Sequence, residues 1–235
     1  MTEAIEVMSV SKNYGDTQVL EKVNFSVRSG SIVGLVGRNG AGKTTLLSIL
    51  LELTRANSGT VHYFGKPMKD RTLNDIGFSI NQGLFPSLTA KQHLQLISSL
   101  SDSAVDIDTL LKHVDLGSRP KQKVKNFSLG MQQRLRLAIS ISGDNKIIVL
   151  DEPLNGLDPD GISWFRQRLL DLRNEGKTVL LSSHLLLELE KVVDDVVILD
   201  RKILWSGSID SARNLSPEGS LESFYHVVKT GDKNG

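Results

Sequence analysis

The stretch Gly37-Arg38-Asn39-Gly40-Ala41-Gly42-Lys43-Thr44-Thr45 matches the pattern G-x-x-x-x-G-K-S/T. Its glycines let backbone N–H groups approach and wrap phosphate oxygens. A helix starting just after them adds partial positive charge at its N-terminus. Lys43 then places a point charge on the terminal phosphates, and the Thr44 hydroxyl is placed to ligate Mg²⁺. A bare glycine-rich turn accounts for the glycines but gives no reason for Lys-Thr-Thr after the third one. The loop alone does not choose between a kinase, a GTPase, a motor and a transporter ATPase.

Further along, Asp151-Glu152 follows the apolar run Ile147-Ile148-Val149-Leu150. Carboxylates at that point sit at the carboxyl edge of a sheet, where ligands of open α/β folds bind. Asp151 is the candidate to hold Mg²⁺ through water. Glu152 is the candidate to orient and polarise an attacking water, which contributes on the order of 10²- to 10⁴-fold in rate. An acidic helix cap is the plainer reading of this pair taken alone. His184 follows the next apolar run in Ser182-Ser183-His184. Alone it reads as an ordinary loop residue; beside the other two features it becomes a candidate contact for the γ-phosphate and the attacking water.

The elements that must position these residues are legible in the pattern. Ile5 to Val10 and Val23 to Val27 alternate like strands, with turn residues between them. Ser31 to Val36 is a short apolar run, as in a buried strand, and Leu46 to Leu51 continues as a helix. Residues from about Thr89 to Ile141 look mostly helical, broken near Gly117 and Pro120. An amphipathic helix around Ile162 to Asn174, ended by Gly176, lies between the runs Ile147–Leu150 and Thr178–Leu181. That strand–helix–strand order implies a parallel core sheet. Val196–Leu199 and Ile203–Trp205 flank Asp200-Arg201-Lys202 and suggest a hairpin, and the last residues read as a frayed tail. The pattern shows no internal repeat.

Composition narrows the field. The 235 residues carry 28 basic and 27 acidic side chains and only 5% aromatics, which argues against a nucleic-acid surface or a base-stacking platform. With no cysteine, disulfides, thiolate zinc sites and thiol catalysis are excluded. The acidic start lacks the features of a secretory signal, and no stretch approaches the ~18 apolar residues of a spanning helix. If this protein works at a membrane, a partner must bring it there.

Phe127-Ser128-Leu129-Gly130-Met131-Gln132-Gln133-Arg134 resembles the signature of ABC-type ATPases, usually written LSGGQ. It stands upstream of Asp151-Glu152-Pro153, as that family requires. Asn155-Gly156-Leu157-Asp158-Pro159 is similar to the family's D-loop, where Leu157 and Asp158 are the matching residues. Tyr14 falls where the family stacks a ring on adenine. The ordered features cover roughly residues 4 to 210. The Ser-Leu-Gly-Met form of the signature looks like the bacterial drug- and peptide-antibiotic-export branch, which includes bacitracin-type resistance ATPases. Leu129 and Met131 depart from the commonest form, while Ser128 and Gly130 keep it. The glutamine loop, Ile76 to Pro86, is one residue short of the usual spacing. Either Gln82 or Asn81 is the family's Mg²⁺ and coupling residue, and Gln82 is favoured.

The resemblance implies an α/β P-loop NTPase fold with a mixed core sheet, N-terminal antiparallel strands and an inserted helical subdomain. One domain would span 1–235, with its core at 1–81 and 142–212, the helical part at 82–141 and a short tail at 213–235. The cofactors would be ATP and Mg²⁺. ATP would be sandwiched in a head-to-tail pair of such domains, a homodimer or a heterodimer. Ser128, Leu129, Gly130 and Met131 would then meet the partner's nucleotide. A separate membrane-spanning subunit would dock on the helical part at the cytoplasmic face of the membrane. Phe85 and Leu88 are candidates for that contact, or simply core residues. The activity implied is ATP hydrolysis that powers export of a drug, peptide or antibiotic. A soluble ABC ATPase acting on ribosomes or DNA is the alternative; such relatives carry two ATPase domains or long coiled coils, and this chain has one P-loop and no sustained heptads.

Overall fold

Period-two alternation builds the first layer. In the computed structural model, which describes residues 2–67, 75–80, 83–99 and 105–231, β1 (Glu3–Tyr14) and β2 (Thr17–Arg28) pair antiparallel. Ile5, Val7 and Val10 of the first strand and Val23, Phe25 and Val27 of the second are buried on one face. β3 (Ile32–Val36) is buried along its whole length, and α1 (Lys43–Leu50) follows it. β4 (Ser58–Tyr63) and the short β5 (Lys66–Pro67) extend the antiparallel sheet to the order β2-β1-β4-β5. The Tyr63 hydroxyl donates to the Leu50 carbonyl and ties this sheet to the end of α1.

The second layer is the sheet that carries the chemistry. β6 (Ile76–Ser79) is followed by α2 (Ala90–Ser98), α3 (Ile107–His113) and α4 (Leu129–Ser140). Then come β7 (Ile147–Leu150), α5 (Pro159–Asn174), β8 (Thr178–Ser183) and the single turn α6 (Leu186–Leu189). β9 (Asp195–Asp200) and β10 (Lys202–Ser208) form the expected hairpin, and α7 (Ile209–Leu215) and α8 (Leu221–Thr230) end the described chain. The strand order is β10-β9-β3-β8-β7-β6, parallel from β9 to β6, with β10 antiparallel at the edge. Strands buried on both faces read as continuous apolar runs, which is why β3, β7 and β8 are visible in the sequence.

Three apolar clusters hold these layers. One lies between the two sheets around α1, a second joins the other face of the parallel sheet to α5, α7 and α8, and a third packs α2, α3 and α4 on one another through Leu94, Leu111, Phe127 and Leu135. The C-terminal stretch differs from the expected tail. Leu221 and Phe224 of α8 are buried, Ser220 caps the helix by accepting the Ser223 N–H, and the Phe224 ring meets Trp205 of β10 edge-on at 4.8 Å. Burying two such side chains contributes roughly 1.5–3 kcal/mol each, enough to hold a short helix in place. Among the described residues no helix is long and apolar enough to cross a membrane.

Candidate functional site

The register of the parallel sheet brings the three chemical features together. Val36 of β3 pairs with Ser183 of β8, and Leu150 of β7 pairs with Leu181. The P-loop, Asp151-Glu152 and His184 therefore leave adjacent strands at one carboxyl edge, the place where α/β sheets bind ligands. Gly37 has no room for a side chain, because a β-carbon there would strike the Leu199 carbonyl and lie 3.0 Å from Ala41 Cβ. Gly42 caps α1 at φ 101, and a β-carbon on it would lie 2.7 Å from Leu20 Cδ2. Close packing at both positions, and left-handed backbone at Gly42, thus demand glycine. The β9–β10 turn supports the loop from the other side, with the Arg201 N–H donating to Ala41 O at 3.0 Å and Arg38 3.4 Å from Asp200. Arg38, Asn39, Gly40 and Thr44 are exposed, whereas Ala41, Gly42 and Lys43 are buried and Thr45 is half-buried.

Lys43 is only 6% exposed, so its ammonium needs partners. It donates to Gly37 O at 2.7 Å and faces Glu152 Oε1 at 3.3 Å. The other Glu152 oxygen meets His184 Nδ1 at 2.9 Å. Thr44 Oγ1 donates to Asp151 Oδ2 at 2.8 Å. Phosphate lysine, metal-ligand candidates and candidate base thus form one connected group. Glu152 has φ 48, left-handed backbone that a non-glycine residue adopts only where its surroundings hold it. Part of that hold comes from a residue whose function the sequence pattern did not single out. Ser182 is fully buried; its hydroxyl donates to Asp151 Oδ1 at 2.5 Å and accepts the Glu152 N–H at 2.8 Å. The available signal was a serine closing an otherwise apolar strand.

The remaining candidates sit apart from this group. Tyr14 lies at the tip of the β1–β2 hairpin, half exposed, with Lys12 Nζ 4.9 Å from its ring centre. β2 reaches the P-loop through Val19 and Leu20, which border Gly42. Ser128 caps α4 by accepting the Met131 N–H at 3.2 Å, and Asp158 caps α5 by accepting the Gly161 N–H at 2.8 Å. These two helix starts, with Leu129, Gly130, Met131, Gly156 and Leu157, line one open cavity. A second cleft joins Leu129 and Arg136 of α4 to Asp151 and Glu152. Burial there pulls the Arg136 guanidinium below its ordinary range. Gln82 and Asn81 lie outside the described residues. Phe85 is exposed rather than core; its N–H donates to Nε2 of the buried His93 at 2.8 Å. Leu88 is half-buried, and its carbonyl accepts the Val124 N–H.

A P-loop, an acidic strand end and a histidine on neighbouring parallel strands define a nucleoside-triphosphate hydrolase of the P-loop class. Comparison with known proteins narrows this further. Residues 20–155 match the ABC transporter family. The lantibiotic transport ATP-binding protein SrtF of Streptococcus pyogenes is 37% identical over 214 residues, covering 90% of this chain and 93% of that protein. The bacitracin transport ATP-binding protein BcrA of Enterococcus faecalis is 39% identical over 206 residues, covering 85% and 67%. Among solved structures, an ATP-binding subunit of an ABC transporter superposes with a TM-score of 0.85 at 27% identity, covering 96% of this chain and 99% of that one. The dimeric post-hydrolysis cassette MJ0796, bound to ADP and Pi, gives 0.78 at 25% identity, covering 87% and 98%. This chain belongs to the ABC transporter family, as an ATP-binding and ATP-hydrolysing subunit.

Proposed function

We propose that this subunit drives export of a peptide antibiotic or related drug through a membrane-spanning partner, acting from the cytoplasmic face as one half of a symmetric or paralogous pair. The observation that carries the reading is the closed group Lys43–Glu152–His184 with Asp151–Thr44, on a chain similar to lantibiotic and bacitracin transport proteins. Tyr14 stacks on adenine, and the P-loop amides and Lys43 hold the phosphates. Glu152, fixed by Lys43 on one oxygen and His184 on the other, orients the attacking water and takes its proton. With Nδ1–H donated to Glu152, the Nε2 of His184 is the ring nitrogen left for the γ-phosphate.

The Thr44 hydroxyl and the Asp151 carboxylate converge within 2.8 Å, a hard oxygen pair that suits Mg²⁺. These two, with Gln82 or Asn81, would hold the ion, which when bound neutralises charge on the β- and γ-phosphates. Ser128, Leu129, Gly130 and Met131, through the serine hydroxyl and the backbone N–H groups, address the nucleotide held by the partner cassette; with Leu157 and Asp158 they line a cavity that no P-loop residue borders. Residues 1–235 form one ABC ATPase unit, with the helical part near 82–141 presenting Phe85 to the membrane subunit. The test is to trap tagged Glu152→Gln with Mg-ATP in native cells and identify what co-purifies from solubilised membranes. A stoichiometric polytopic protein supports the reading; ribosomal or DNA-associated partners without one would replace it.

A further inference from the structure

Leu129 stands where the family's signature commonly has glycine, and neither the helix cap at Ser128 nor the P-loop chemistry gives its side chain a task. The structure seats that side chain on Gly156, in the turn that runs from Glu152 to α5. A β-carbon added to Gly156 would overlap Leu129 Cδ2 and lie 3.5 Å from Leu129 Cγ. Gly156 is left-handed at φ 71, so the turn exposes bare backbone to the leucine. The contact is returned one residue on: Leu157 Cδ2 lies 3.7 Å from where a β-carbon on Gly130 would be. The start of α4 and the turn 152–158 therefore interlock, a leucine from each lying over a glycine of the other. Leu129 also borders the cleft that leads to Asp151, Glu152 and Asn155.

We propose that Leu129 is a positioning residue for hydrolysis: its side chain, seated in the notch of Gly156, latches the signature helix to the turn that follows the same chain's Glu152. This rests on the two-cassette reading above. Phosphate of the partner's nucleotide meets the start of α4; the latch passes any shift of that helix to the turn beside this chain's own base. Packed contacts transmit such shifts because they resist continuous deformation. A glycine at position 129 would leave the notch of Gly156 empty. Leu129 is 46% exposed, so shortening it removes little buried area and should cost little stability.

The test compares the full-length chain with Leu129→Ala, Gly156→Ala and the double variant, measuring ATP turnover, KM for ATP and melting temperature. Leu129→Ala should lower kcat about three- to tenfold, with KM within about twofold and melting within about 2 °C. Gly156→Ala should lower kcat at least about tenfold, through both overlap with Leu129 and its left-handed backbone. The double variant should recover at least about threefold over Gly156→Ala, because the overlap has gone while the left-handed backbone strain at position 156 stays. Three results overturn the latch: full kcat in Leu129→Ala, a double variant as slow as Gly156→Ala, or losses that track melting temperature rather than kcat. A Glu152→Gln control separates the levels. Turnover that depends on Glu152 keeps its role as base whatever the Leu129 result; turnover that ignores Glu152 removes that role and the latch with it.

Discussion

Around the P-loop, charged and polar groups find partners within the chain: Lys43 is held by Gly37 O and Glu152, Glu152 by His184 and Ser182, and Asp151 by Thr44 and Ser182. Around the signature, Ser128, Leu129 and Asp158 are exposed, and among the described residues the Ser128 hydroxyl and the Asp158 carboxylate do no more than cap the helices they begin. The first region is assembled by folding. The second presents a helix N-terminus, beside the partly exposed Leu129, on an open cavity. On the proposed function, a chain built this way holds a nucleotide by itself and supplies the second wall of the site to another copy or a paralogue, with ATP as the adhesive between cassettes. The proposed pairing would be a population shift set by how much better the closed pair binds ATP than the single chain does.

The largest effect that sharpens this contrast is expected at Glu152. Glu152→Gln keeps the shape and the Lys43 side of the site but removes the base, so turnover should fall on the order of 10²-fold or more while ATP affinity changes little. Single-turnover hydrolysis alongside a nucleotide-binding titration checks it; unchanged turnover would remove Glu152 from the mechanism.

A mixing experiment breaks the comparison if the two regions serve the same nucleotide. Lys43→Ala and Ser128→Ala chains should each be nearly inactive, yet an equimolar mixture should regain activity. It contains a site built from the intact P-loop of one chain and the intact signature of the other. No recovery, in a mixture shown to pair, would mean that Ser128 acts within its own chain.

Ser182→Ala should slow turnover about tenfold. It strips Asp151 of one donor and leaves the Glu152 N–H without its acceptor, a loss of roughly 1–3 kcal/mol for a buried group. Rescue by Ser182→Thr, if the strand accommodates the methyl group, would separate hydrogen bonding from packing. The smallest effect is expected on the open face. Asp158→Ala loses a helix cap worth about 1 kcal/mol, which lowers the melting temperature of a chain this size by about 2–4 °C. A far larger drop would show that this carboxylate does more inside the chain than cap α5.

Legibility followed burial and local order. The strands β3, β7 and β8 were visible because burial on both faces demands unbroken apolar runs, and the P-loop was visible because its chemistry lies in consecutive residues. β4 was missed: Ser58–Tyr63 mixes polar and apolar residues and buries only Val61 and Tyr63. The stretch 213–235 was read as a short tail because α8 is short, and its anchor, Phe224 against Trp205, exists only across elements. Tyr14 and Phe85 were named from the family resemblance, and the structure leaves both exposed. The tie between Ser182 and both carboxylates was hidden because it spans two strands.

The sequence by itself determined which candidate groups this protein offers for handling ATP: the loop of backbone amides, Lys43, Thr44, Asp151, Glu152 and the helix start at Ser128. Short-range backbone rules and residue chemistry specify those, and they need no knowledge of neighbours. Only the tertiary structure decided how they meet. The pairing of β3 with β8 and of β8 with β7 sets Glu152 between Lys43 and His184, and the packing of α4 on the turn at Gly156 sets Leu129 against the same turn. Those distances arise from sheet register and long-range packing, which no local pattern of residues encodes.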